Sequence, residues 1–311
     1  MKKLTSSVWL FTAAIIWGFA FAAQKAATPV PNFTMTFARS LLATVFLLPI
    51  IPLFDKLSHN GRTFFRRGKA PDFNKTELVG GFFCGVALTV GTLLQQAGIK
   101  AGTDAGKCAF ISVLYVVLVP LLGLILGKKP PARVYFSVPV AVLGFFLLCV
   151  GEGFSVALSD LIVLSCALVF AVHITVVGHY SPACDGVRLS CIQFLTETVL
   201  TLLCVFLAGE HKAGGFALAW EYGLPILYLG FGSSGIGFTA QVLGQKDAEP
   251  AVAAIILSLE SVFGALGAWM IFHETMSGTE LCGCALVFTA VLLSELDIGS
   301  LLLKKKEKDA E

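Results

Sequence analysis

Two carboxylates, Glu197 and Glu260, each stand about eleven residues into a long apolar run. A charge at the centre of a bilayer costs about 2.5–3.5 kcal/mol on insertion scales, so such groups face the protein interior and usually have a use. Either carboxylate could receive a substrate ammonium or carry a coupling proton, and His173, in the middle of another apolar run, is the third proton-coupling candidate. Ser190, Gln193, Glu197 and Thr201 recur at spacings of 3, 4 and 4, which is one helical face. Arg39 and Lys25 could attract an anionic group. Trp17, Gln24, Gln95, Gln96, Ser112, Tyr115 and Gln241 complete the set of polar or amphipathic side chains that could line a binding cavity. Each has a plainer use taken singly. Gln and Ser hydrogen-bond between helices, Lys25 near a helix end can snorkel, His173 can be a satisfied core histidine, and Arg39 a structural ion-pair partner. The collective pattern carries the functional argument.

The elements that must hold these residues follow from composition. The 311 residues are 56% hydrophobic and 14% charged, with a mean hydropathy of +0.84, against about 25% charged in soluble domains. Lipid is the solvent such a chain needs. Apolar runs near the roughly 20 residues that span a bilayer fall at 5–27, 33–54, 77–99, 103–126, 132–150, 157–178, 187–208, 219–243, 249–272 and 277–298. The expectation is an all-α integral membrane protein of ten transmembrane helices. The polar residues above fall on the first four and on the sixth to ninth; the fifth and tenth are almost purely apolar. Lys2, Lys3 and the Ala20-Phe21-Ala22 stretch resemble a signal peptide, but Trp17-Gly18 interrupts its apolar core and nine further runs follow, so an uncleaved first span is expected. The nine cysteines have no framework spacing and read as small packing residues.

Lys and Arg in the loops set the orientation. With the N-terminus cytoplasmic, 17 of the 22 basic residues fall on the cytoplasmic side, including the loop around 55–76, Lys128, Lys129, Lys246 and the 301–311 tail. Three, Lys100, Lys107 and Lys212, fall opposite, and Lys25 and Arg39 lie within spans. Both termini are then cytoplasmic. The basic loop could rest on anionic headgroups. A net charge of +2 suggests no nucleic-acid partner; a lipid bilayer and a small-molecule solute are the partners expected.

The halves look like copies, 1–150 and 151–300. Ala105 meets Ala251, Ser112 meets Ser258 and Gly144 meets Ala290 at an offset of 146; Arg39 and Thr44 meet Gln193 and Thr198 at 154; Trp17-Gly18 meets Phe170-Ala171 at 153. Five spans per half invert the second copy, an arrangement that secondary transporters use to hold substrate near the midplane. Catalytic strings fail. Gly230-Phe231-Gly232-Ser233-Ser234-Gly235 has the GxGxxG spacing but no preceding strand, so close helix packing explains it better. Gly106-Lys107 lacks the rest of a phosphate loop, and no membrane-enzyme motif is present.

Ala14-Ile15-Ile16-Trp17-Gly18-Phe19-Ala20-Phe21, Phe37-Ala38-Arg39, the stretch from Ala105-Gly106-Lys107 to Val119-Pro120, and Phe272-His273-Glu274 resemble motifs of the EamA-type carriers of the drug/metabolite transporter superfamily. The resemblance covers roughly residues 8–298. Lys128 departs from it, where the first repeat often has Glu, as does Ser261, where a Pro is common. The resemblance implies two inverted five-helix repeats, a cavity lined by helices 1–4 and 6–9, no cofactor, a bacterial inner-membrane location, and export of amino acids or other metabolites. Rival readings are broad efflux of hydrophobic drugs, a lipid-modifying membrane enzyme, and a non-transporting receptor.

Overall fold

In hydrocarbon each backbone N–H and C=O must be paired within the protein, which leaves an apolar chain of this kind little choice but helix. The computed structural model describes residues 2–59, 74–103, 105–150, 157–272 and 278–295. Its order is α1 (Lys2–Ala26), α2 (Asn32–His59), α3 (Lys75–Lys100), α4 (Ala105–Ser112), α5 (Tyr115–Ile125), α6 (Ala132–Val150), α7 (Leu158–Tyr180), α8 (Gly186–Leu207), α9 (Gly215–Glu221), α10 (Gly223–Leu227), a π-helical segment (Tyr228–Phe238), α11 (Thr239–Gln245), α12 (Pro250–Leu257), α13 (Glu260–Phe272) and α14 (Gly278–Glu295). Among the described residues eight stretches are long and apolar enough to cross a bilayer; α4–α5, α10–π–α11 and α12–α13 each count as one. The fifth and tenth expected spans correspond to shorter apolar helices, Ala132–Gly144 and Leu281–Leu293. The His273-Glu274-Thr275 string, the basic residues from Arg62 to Lys69 and the 301–311 tail lie outside the described residues.

Outward side chains are apolar: Phe82, Phe83, Leu195, Val199 and Leu203 are all half exposed. The interior holds Arg39, Gln96, His173, Gln193, Glu197 and Glu260, all buried. Helix ends are tied down. Asn74 accepts from Glu77 N (2.8 Å) while its own N–H reaches Glu77 Oε2 (3.2 Å), a capping box on α3. Asp185 caps α8 through Val187 N and Arg188 N, both 3.1 Å. The first N–H groups of α2 donate to the Glu210 carboxylate, Phe33 N at 3.2 Å and Thr34 N at 2.7 Å.

Contacts between the halves obey a two-fold relation. α2 packs on α8, and α6 on α14; α3 packs on α7 as the π segment and α11 pack on α1; α3 packs on α8 as the π segment packs on α2. Thr44 and Thr198, which match at the repeat offset, touch at 3.4 Å through their hydroxyls. A residue that touches its own equivalent lies on the symmetry axis. Lys100 Nζ donates to Val30 O (2.7 Å), and Lys246 Nζ, 146 positions on, donates to Cys184 O (2.9 Å), the equivalent of Val30. Gly98 packs against Ser159 O and Val163, and Gly244 against Ser6 O and Leu10, again equivalent partners.

Both α4–α5 and α12–α13 break within one residue of equivalent places, after Ser112 and after Leu257. At each break the hydrogen bonds tighten to i→i−3, from Leu114 N to Ile111 O (3.2 Å), Val116 N to Val113 O (2.9 Å), Leu259 N to Ile256 O (3.2 Å) and Ser261 N to Ser258 O (3.1 Å). Ser258 and Ser261 hydroxyls bond their own backbone at Ile255 O and Ser258 O, competing with the helical ladder. Irregular backbone is tolerated at this depth because it is buried in protein. The pairing of Gly98 with Gly244 predicts that Gly98→Leu and Gly244→Leu each lower the melting temperature in detergent by the equivalent of about 1–3 kcal/mol of overpacking. Gly106→Ala, where a Cβ meets nothing within 4 Å, should melt as wild type.

Candidate functional site

The two breaks face each other across the interior. Each presents the first residue of a new helix, Tyr115 on α5 and Glu260 on α13, and the Tyr115 hydroxyl donates to Glu260 Oε1 at 3.0 Å. Glu260 opens α13, so the positive end of that helix dipole also favours its carboxylate. Beside this pair lies a cavity with about 480 Å³ of space outside atoms, counting its open mouth. Its lining comes from α1 (Trp17, Ala20, Phe21, Gln24), α2 (Arg39), α3 (Thr92, Gln95), α5 (Tyr115), α7 (Phe170, His173, Ile174), the π segment (Ser233, Phe238), α11 (Gln241) and α13 (Glu260).

Arg39 is held on one wall. Its Nε donates to Ser234 Oγ (2.9 Å) and its Nη2 to Ser233 Oγ (3.0 Å). Trp17 Nε1 donates to Ser233 O (3.1 Å), fixing the indole against the same turn. Phe238 is the hub of the aromatic wall: its ring centroid is 4.4 Å from Trp17, 5.9 Å from His173 and 5.7 Å from Phe194. His173 Nε2 meets Gln193 Oε1 at 2.9 Å, which orients the imidazole from behind. On the opposite wall an amide chain runs from Gln24 Nε2 to Gln95 Oε1 (3.3 Å) and from Gln95 Nε2 to Ser112 Oγ (3.1 Å). The site thus sets one guanidinium and one carboxyl group in a single cavity, with amides and aromatic faces between them. Gln24 Oε1 and Gln241 Oε1 are buried without a protein partner among the described residues.

The structure brings most of the sequence candidates to the cavity and leaves the others behind or beside it. Trp17, Gln24, Arg39, Gln95, Tyr115, His173, Gln241 and Glu260 line the cavity. Ser112, Gln193 and Glu197 stand behind it. Glu197 is fully buried and takes the Thr92 hydroxyl on Oε1 at 2.7 Å; Thr92 is the residue that faces the cavity. Glu197 is also near enough to Arg39 for charge attraction. Gln96 is buried outside the lining, and Lys25 sits half-buried at the end of α1, outside it as well. α8, expected to contribute lining, supplies support instead. Sequence reasoning passed over Phe238 because one phenylalanine among 26 carries no signal. It passed over Ser233 because that residue sits in a glycine-rich string whose spacing suggested only packing. Among the described residues no group of three His, Cys, Asp or Glu side chains could hold a metal ion.

The profile of the EamA-like transporter family matches residues 4–150 and, a second time, residues 157–296. A protein of Archaeoglobus fulgidus described as an uncharacterized transporter is 27% identical over 301 residues, covering 96% of this chain and 88% of that one. A solved crystal structure shares the fold with a TM-score of 0.67 at 17% identity, covering 93% of this chain and 96% of the other. The Tyr115–Glu260 contact yields a direct stability prediction. Interhelical hydrogen bonds in membranes average about 0.6 kcal/mol with a maximum near 1.7 kcal/mol. Tyr115→Phe should therefore destabilise by roughly that range in a detergent melt, and in the Glu260→Ala background the same substitution should cost almost nothing.

Proposed function

The chain belongs to the EamA-like transporter family, and from that premise we propose that it is a secondary carrier exporting small metabolites, amino acids among them, by alternating access. The observation that carries the substrate class is the pairing of Arg39 and Glu260 in one cavity with Gln24, Gln95 and Gln241, a set suited to a small solute bearing both charges. Residues 1–150 and 151–300 form two inverted five-helix repeats, ten spans in all, with both termini cytoplasmic in a cell inner membrane. The two-fold contacts and the 17-to-3 distribution of basic residues support that reading. Glu197, Glu260 and His173 are its proton-coupling candidates, and Lys25, at the outer end of α1, lies outside the cavity lining.

One face is clamped where the other is open. Lys107 Nζ pairs with Asp160 Oδ2 at 2.7 Å, and the Thr103 hydroxyl donates to Asp160 Oδ1 at 3.1 Å. The equivalents of Lys107 and Asp160 are Ala253 and Ser7, which cannot form an ion pair. The equivalent of Thr103 is Glu249, and it lines a second cavity of about 690 Å³, again counting open space, together with Val119, Lys128 and Pro250. This asymmetry supports a carrier captured closed at the Lys107 face and open at the Lys128 face. The aromatic wall of Trp17, Phe170 and Phe238 favours hydrophobic drug efflux as the second reading.

Solute counterflow in proteoliposomes preloaded with amino acids and common metabolites should give transient accumulation of one labelled member, and Arg39→Ala should abolish it. Accumulation of none of them, with raised drug resistance in cells overproducing the protein, would move the assignment to efflux. Glu197→Gln and Glu260→Gln test the coupling role. At least one should lose proton-driven flux while retaining counterflow; normal, pH-sensitive transport by both would remove the carboxylates from the mechanism. Lys107→Met should raise labelling by a membrane-impermeant thiol reagent of a cysteine placed at Thr103, and unchanged labelling would deny the clamp its role.

A further inference from the structure

Within the eighth span the repeat falls out of step with the third by one residue. Gly237 packs on Trp17 as Gly91 packs on Phe170, the equivalent of Trp17, and the two glycines lie 146 apart. Gly230 packs on Leu42 and Arg39 O as Gly85 packs on Thr196 and Gln193 O, again equivalent partners, yet those glycines lie 145 apart. The second half therefore holds one extra residue between Gly230 and Gly237. That stretch lies within the π-helical segment Tyr228–Phe238, whereas the matching stretch of α3 is regular α-helix. A π turn absorbs one additional residue without displacing the helix on either side.

Packing does not need that residue, because α3 makes the same end contacts without it. What the π segment presents, and the matching stretch of α3 does not, is the adjacent pair Ser233 and Ser234. In α3 the hydroxyl of Thr89 bonds its own helix at Gly85 O (2.7 Å). In the π segment two neighbouring hydroxyls turn to one side and both accept from Arg39. Arg39 has five N–H donors and is 4% exposed; its hydrogen bonds to described residues use Nε and Nη2. Its nearest counter-charge, Glu197, accepts from Thr92 instead. The unpartnered Oε1 atoms of Gln24 and Gln241, in residues 3% and 1% exposed, line the same cavity.

We propose that the one-residue insertion in the eighth span is a specificity device, in which the π segment clamps Arg39 from behind so that its remaining N–H donors bind a carboxylate of the solute. The inference rests on the carrier reading above. One guanidinium with no second cation in the lining matches a singly charged carboxylate rather than a dianionic phosphate. Ser233 and Ser234 act through Arg39 and are positioning residues.

The test is thermal-shift binding in detergent with L-amino acids and their carboxamides as paired probes, on wild type, Ser233→Ala/Ser234→Ala, and chains lacking Gly232 or Leu88. Wild type should bind at least one acid about tenfold more tightly than its amide, and the double alanine variant should lose most of that preference. The Gly232 deletion should fold, since it restores the register of the first half, and should lose the same preference. The Leu88 deletion, which has no insertion to absorb it, should not fold. If acids bind wild type and the double variant keeps the preference, the clamp is wrong and the carrier reading stands. If no acid binds wild type, the proposal falls together with the amino-acid reading. If the Gly232 deletion misfolds like the Leu88 deletion, the inserted residue is structural and the proposal is overturned.

Discussion

An unpaired backbone group in hydrocarbon costs several kcal/mol, and the architecture of this chain answers to that cost. Helices satisfy it locally. Among the described residues the breaks after Ser112 and Leu257 lie in the interior, and the π segment from Tyr228 to Phe238 turns Ser233 and Ser234 inward while Tyr228 and Ile236 face out. The departures are also where the chemistry collects. The two breaks deliver Tyr115 and Glu260 to each other, and the π segment delivers Ser233 and Ser234 to Arg39. Lipid thus favours regular helix, and the departures from it coincide with residues that line the cavity.

Two-fold packing turns those local irregularities into a shared site. Thr44 against Thr198 marks the axis, and the matched lysines, Lys100 on Val30 O and Lys246 on Cys184 O, hold equivalent corners of the two halves. Symmetry at the scaffold makes its violations informative. Gln193 occupies the position of Arg39 and supports His173 instead of binding in the cavity. Lys107 and Asp160 form an ion pair that their equivalents cannot repeat. Packing contacts are matched between the halves, while the Arg39 cavity and the Lys107–Asp160 ion pair have no matched counterpart among the described residues.

The polar interior is built of several short hydrogen-bonded groups. Arg39 reaches the two serines, Trp17 reaches the backbone of the same turn, and Gln24 runs through Gln95 to Ser112. In a low-dielectric interior such networks strengthen their members, and a member that loses its partner is costly. Glu197 and Glu260 each accept one side-chain hydrogen bond, from Thr92 and Tyr115, while Glu197 Oε2 has no protein partner among the described residues.

The sequence alone determined the solvent, the helical class, eight of the spans at full length, the offset between halves and most of the polar residues that face inward. These follow from hydropathy and from one-dimensional periodicity, which lipid enforces strictly. Tertiary structure decided which inward residues form the cavity and which stand behind it. Glu197 and Glu260 look alike in sequence, each about eleven residues into an apolar run, yet only Glu260 lines the cavity. The difference comes from a helix break that turns the chain at Ser258 and from the α3–α8 packing that buries Glu197 against Thr92. The inserted residue in the eighth span was equally invisible, because a shift of one position shows only when equivalent glycines can be matched through the side chains they touch.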